Sequence, residues 1–199
     1  DMTRFLMNLD EAVDLVMFAF EHAGIVPDVL VLSKAIGGSL PLSVVIYNKE
    51  LDLWSPGAHI GTFRGNQLAM AAGTATLKFM KETNLVEHAA KMGEILKNIL
   101  KDLQKDIQQI GDVRGRGLMV GVELVNHLEP QNSNGSYPAN SELASTIQQE
   151  CFQRGLILEV GGRHGSVVRF LPPLIVTESQ LREATAIFEE AVRAAVARG

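Results

Sequence analysis

Three observations predict an α/β fold. Aliphatic runs of strand length stand at Asp28–Ser33 and Leu42–Tyr47, apolar residues recur at intervals of three and four from Leu85 to Ile107, and strand-like and helix-like segments follow one another to the C-terminus. The run Asp28-Val-Leu-Val-Leu-Ser33 reads as a strand buried on both faces, the kind found in parallel sheets. Such sheets place ligands at the carboxyl ends of their strands. Lys34 follows directly, so the strand delivers one amine to the edge of a sheet.

The next run, Leu42–Tyr47, is able to pair beside the first, and Ser55-Pro56-Gly57 marks a turn. After the loop His59–Asn66, the stretch from Gln67 to about Lys81 is rich in Ala, Leu and Met and predicts a helix. Leu85, Ala89, Met92, Leu96, Ile99, Leu100, Leu103 and Ile107 then outline the buried stripe of an amphipathic helix. Gly111–Gly117 reads as a turn feeding a strand at Leu118–Val125, followed by a polar loop from Glu129 to Pro138. A helix over Asn140–Arg154, strands near Leu156–Val160 and Ser166–Phe170, and a last helix complete the chain. Thr177 and Gln180 have capping-box spacing, and Leu181, Ala184, Phe188, Ala191, Val192 and Ala195 form the inner face of that final helix. Tyr47, Trp54 and Met119 are expected in the core or an interface.

At 199 residues and 46% hydrophobic composition, the chain can bury a sizeable core. Its net charge of −5, from 18 basic and 23 acidic residues without a basic cluster, argues against nucleic acid or an anionic membrane as partner. The single cysteine, Cys151, excludes an internal disulfide framework and a cysteine-based zinc site, so no metal is expected; it fits a small core position. No stretch of about 18 uninterrupted apolar residues and no signal-peptide pattern is present, which points to the cytoplasm.

Three residues could carry chemistry. Lys34 suits a covalent bond to an aldehyde, although most lysines are simply solvated. Thr62, in Gly61-Thr-Phe-Arg-Gly-Asn66 just before a helix, could join backbone N–H groups on an anion, or could merely shape a turn. Arg169, among apolar strand neighbours, must find a carboxylate, whether a ligand's or one belonging to an internal salt bridge. Gly115 and Gly117, with Arg114 and Arg116, read as a turn and not as an anion loop. Glu21 and His22 lack a spacing partner for a metal or a triad.

The stretch from Phe18 to Gly38, the motif Gly61–Asn66 and the segment Arg169-Phe-Leu-Pro-Pro-Leu174 together resemble the class III, ornithine-aminotransferase-like, pyridoxal-phosphate enzymes, from about Met17 to the last helix. The resemblance implies the C-terminal part of the fold-type I pyridoxal-phosphate-dependent transferase fold. Residues 1–83 would be a partial large cofactor-binding domain, with 1–16 atypical, and residues 84–199 the small C-terminal domain. It implies pyridoxal 5'-phosphate as cofactor and an amino acid and a 2-oxo acid as substrates. The implied reaction is transamination between glutamate/2-oxoglutarate and aspartate 4-semialdehyde/2,4-diaminobutyrate. By the same resemblance Lys34 bonds the cofactor and carries the proton, with a pKa lowered by its surroundings; Thr62 reaches the cofactor phosphate of a partner subunit, hence a homodimer; and Arg169 holds the α-carboxylate. His59, Arg64 and Asn66 shape the Thr62 loop.

Family members carry an Asp-Glu-x-Gln motif and a glycine-rich loop ahead of this region. Asp10-Glu11 is the echo of that motif, making Asp10 the candidate partner of the pyridinium nitrogen, while Val13 stands where the Gln is expected. With the family's N-terminal half absent ahead of Met17, little or no turnover by this chain alone is expected. Another class III ω-aminotransferase or aminomutase, and a non-catalytic interaction or dimerisation module, are the rival readings.

Overall fold

The computed structural model describes residues 24, 27–38, 40–58 and 60–198. The chain divides after Asn84 into two compact units.

In the first unit, β1 (Val29–Leu32) pairs antiparallel with β2 (Val44–Tyr47), Val29 lying opposite Tyr47 and Leu32 opposite Val44. This corrects the expectation of a strand buried on both faces in a parallel sheet. The connection from Ser33 to Ser43 is too short for a parallel crossover, which takes about a dozen residues or more. One face of the ladder stays open, with Val31 64% exposed and Val29 and Val45 also exposed. The helix α1 (Gln67–Glu82) packs on the connection between the strands. Gly73 makes that approach possible: a Cβ there would lie 3.0 Å from the Ile36 carbonyl oxygen and 2.6 Å from Leu42 Cδ2.

In the second unit, α2 (Leu85–Asp106) precedes the hairpin β3 (Ile110–Arg116) and β4 (Met119–Leu124). After α3 (Ser141–Gln153) come β5 (Glu159–Gly161), β6 (Val167–Phe170) and α4 (Glu178–Val196). The sheet order is β3-β4-β6-β5, with every pair antiparallel. The segment expected to be a turn, Gly111–Gly117, is therefore mostly strand. A register shift between Ile110 and Asp112 breaks the alternation that would have revealed it.

The helices cover one sheet face. Leu96, Leu100, Val122, Leu124, Ile147, Val168, Phe188 and Val192 form the centre of the core, and the Phe170 and Phe188 rings meet edge to face at 5.1 Å. Cys151 lies fully buried there, its thiol pushed up to about 11 by burial. Thr177 and Gln180 form the expected capping box. Ala184 is only half-buried, whereas the neighbouring Thr185 is buried and donates its hydroxyl to the Leu181 carbonyl at 2.8 Å. Met119, 68% exposed, and Trp54 are not core residues, and Tyr47 is half-buried beside Trp54.

Glu150 is a buried carboxylate on α3. It accepts from Arg154 at 2.5 Å and from Arg198 at 2.6 Å, so α3 is tied to the residues that follow α4. The Arg154 hydrogen bond, opposed by desolvation and aided by Arg198, holds its carboxyl below the usual carboxylate range. A depressed folded-state pKa stabilises the fold above the ordinary carboxylate value, and that contribution disappears as the pH falls through the folded value. Thermal unfolding of Glu150→Gln should therefore show a shallower acid decline than the parent; parallel declines would contradict this.

Gly93 on α2 faces the β3–β4 turn so closely that a Cβ would lie 2.0 Å from the Gly117 carbonyl oxygen. Gly93→Ala should therefore lower stability to urea by about 3 kcal/mol, the upper part of the usual overpacking range. Unchanged stability would mean that the helix does not seat on this turn.

Candidate active site

Lys34 opens a short 3-10 turn, Lys34–Gly37, immediately beyond the end of β1. Its side chain is exposed, while Ile36 and Gly37 behind it are buried where α1 packs. Its backbone has φ 57°, one of three positive values at non-glycine residues among the described residues. A left-handed backbone at a residue with a side chain costs about 1–2 kcal/mol. The turn is held by Gly38 N–H donating to the Ala35 carbonyl at 3.0 Å and by the seating of Ile36 against Gly73.

Thr62 stands exposed in a turn closed by Arg64 N–H donating to the Gly61 carbonyl at 3.1 Å. The expected free donors of the following helix are not all free. Asn66 caps α1, its Oδ1 accepting from the N–H groups of Leu68 at 3.0 Å and Ala69 at 3.2 Å. Capping by Asn66 had no counterpart in the sequence reading, although an Asn before an apolar helix is its usual signal. An anion here would meet the Thr62 hydroxyl and the N–H groups of the loop. Beside it Ile60 is 83% and Phe63 87% exposed, and Leu68 is exposed as well.

Arg169 lies on β6 in the second unit, on the sheet face that the helices leave open. The expected burial does not hold, because the alternation of β6 turns Val168 and Phe170 into the core and Arg169 outward, its side chain 44% exposed. The internal salt bridge is present: Nη2 donates to Glu159 Oε2 at 2.7 Å, across the register pair of β5 and β6. On the same face Arg114 is more fully engaged, with Asp112 at 2.8 Å and Glu123 at 2.5 Å. Asp10, Glu21, His22 and His59 fall outside the described residues.

The family model for aminotransferase class III matches residues 16–192. The chain belongs to the class III aminotransferase family. It is 51% identical over 176 residues to the diaminobutyrate–2-oxoglutarate aminotransferase of Haemophilus influenzae, covering 88% of this chain and 39% of that protein. The corresponding protein of Rhizobium meliloti is 54% identical over 82% of this chain and 35% of its own length. Among solved structures, an ornithine δ-aminotransferase from Plasmodium falciparum superposes with a TM-score of 0.74 at 32% identity, over 88% of this chain and 42% of that one. The chain thus spans between a third and two fifths of the length of these curated relatives.

Class III aminotransferases depend on pyridoxal phosphate. The residues described here fit that cofactor in kind: a primary amine beyond a strand end for its aldehyde, a hydroxyl in a tight loop for its phosphate, and a half-exposed guanidinium for a substrate carboxylate.

The strained backbone at Lys34 gives a direct check. Lys34→Gly relieves it and Lys34→Ala does not, so the glycine variant should be more stable by about 0.5 kcal/mol or more in urea denaturation. An alanine variant as stable as the glycine variant would show that the left-handed turn is not held in solution.

Proposed function

We propose that this chain is the C-terminal portion of a pyridoxal-phosphate-dependent transaminase exchanging an amino group between glutamate/2-oxoglutarate and aspartate 4-semialdehyde/2,4-diaminobutyrate. The observation that carries this reading is the identity of 51% and 54% to two diaminobutyrate–2-oxoglutarate aminotransferases over more than four fifths of the chain. Residues 1–83 would belong to the large cofactor-binding domain and 84–199 form the small one, a boundary close to the division after Asn84.

When bound, the cofactor supplies an aldehyde that takes up the amino group and a ring that withdraws electrons from the substrate carbon. Lys34 presents its amine from a fixed turn and moves a proton at the substrate carbon as general base and acid. The guanidinium of Arg169 holds the α-carboxylate of glutamate or 2-oxoglutarate. Thr62 reaches the cofactor phosphate across a homodimer interface, a reading supported by the exposed Ile60 and Phe63 beside it, apolar groups that a second subunit would cover. The open face of Val29, Val31 and Val45 is of the kind a further layer of the large domain covers, and the matched relatives are long enough to supply one. For that reason residues 1–199 alone should turn over slowly or not at all, in a cytoplasmic setting where glutamate is the amino donor.

A chimera joining the N-terminal region of the Haemophilus influenzae relative to residues 16–199 tests the reading. It should transaminate 2,4-diaminobutyrate with 2-oxoglutarate. Arg169→Ala should raise KM for 2-oxoglutarate about a hundredfold, the worth of a charge-assisted carboxylate pair. Thr62→Val should weaken cofactor binding about tenfold, as loss of one hydrogen bond to a charged group does. Turnover of a different amine, with 2,4-diaminobutyrate ignored, would replace this substrate assignment with another ω-aminotransferase or an aminomutase.

A further inference from the structure

The surroundings of Arg169 differ from those of Arg114 on the same sheet. Arg114 is bonded to two carboxylates, whereas Arg169 has one ion-pair partner among the described residues, Glu159, reached through a single nitrogen at 2.7 Å. Glu159 and Arg169 are register partners on β5 and β6, so both side chains leave the sheet on the open face. On β5 the next residue on that face is Gly161. A Cβ there would lie 3.1 Å from Arg169 Nη2 and 3.2 Å from both Cζ and Nε. On the other side, the register partner of Arg169 on β4 is Gly121. The guanidinium therefore lies low over Gly161 and is fastened at one nitrogen, while Val167 covers Gly121 on the other side.

An exposed ion pair of this kind adds little stability, so its consequence lies in where it holds the guanidinium. An arginine side chain free to turn presents its fork in many directions, and each freedom lost on binding weakens capture of a carboxylate. One fastened nitrogen over a flat floor leaves the remaining N–H groups available along an outward edge. We propose that Glu159 is a positioning residue: by fastening Nη2 across Gly161, it presents the free edge of Arg169 to the α-carboxylate of the substrate. This rests on the reading of Arg169 as the carboxylate clamp. Nothing in the sequence reading singled out Glu159, because a lone acidic residue in a short strand has no distinguishing spacing.

The test compares Glu159→Ala, Glu159→Gln and Gly161→Ala with Arg169→Ala in the chimeric enzyme. Glu159→Ala should raise KM for 2-oxoglutarate about tenfold with kcat within about twofold of the parent, the pattern of lost ground-state orientation. Glu159→Gln keeps an oxygen acceptor at the same place and should recover most of that loss. Gly161→Ala, which crowds the guanidinium by a few tenths of an ångström, should raise KM in the same direction as Glu159→Ala but by less. An unchanged or lowered KM in Glu159→Ala overturns the proposal. If Arg169→Ala raises KM while Glu159→Ala does not, the positioning role fails and the clamp survives; if Arg169→Ala has no effect, the clamp itself fails.

A second measurement needs no activity. In 15N spectra of residues 1–199, the Arg169 Nη–H signals should be resolved from those of the other arginines, and Glu159→Ala should return them to the averaged position. A signal averaged with the other arginines in the parent chain, or one that stays resolved in the variant, overturns the proposal independently of the kinetics.

Discussion

Close approaches at two glycines bear on where Lys34 and Arg169 stand. Without Gly73, α1 could not seat on the Ile36 carbonyl, and the turn that carries Lys34 would lose its support. A side chain at 161 would press on the Arg169 guanidinium, its Cβ lying 3.1 Å from Nη2. At the first place a missing Cβ permits the approach, and at the second it leaves room for the guanidinium that Glu159 holds. The strain at Lys34 follows from the first approach, since a turn clamped by buried neighbours can hold a backbone angle that an exposed turn would relax.

The two units bury their apolar residues to very different degrees. The second is closed around the Phe188 and Val122 centre, with its sheet covered on one face by three helices. The first leaves Val29, Val31, Val45, Ile60 and Phe63 exposed around the very segments that carry Lys34 and Thr62. The proposed cofactor residues Lys34 and Thr62 thus fall in the unit with the most uncovered apolar surface, and the proposed carboxylate clamp Arg169 in the unit with the more complete core. A guanidinium needs only a rigid sheet beneath it, whereas a desolvated amine needs walls.

How much of this was legible beforehand depended on whether the signal was periodic or pairwise. The stripe from Leu85 to Leu103 and the Thr177–Gln180 cap are local patterns, and both elements formed as read. The strand Ile110–Arg116 was taken for a turn because its glycines and its register shift erase the period of two. The pairing direction of β1 was misread because a four-residue apolar run does not encode whether its neighbour runs parallel or antiparallel. Arg169 was legible as an arginine needing a carboxylate, but not which one: the partner, Glu159, comes into register only when β5 and β6 pair. The capping role of Asn66 was readable in principle, and its effect is to remove two donors from the anion site expected at Thr62.

The central claim concerns a single nitrogen, the Nζ of Lys34. It is tested most directly by incubating the chimeric enzyme with pyridoxal phosphate, reducing with borohydride, digesting and locating the pyridoxyl mass. The account predicts that the modification is confined to the peptide containing Lys34 and that it disappears in Lys34→Arg. Modification centred on another lysine, or spread evenly over surface lysines with Lys34 unmodified, would contradict it.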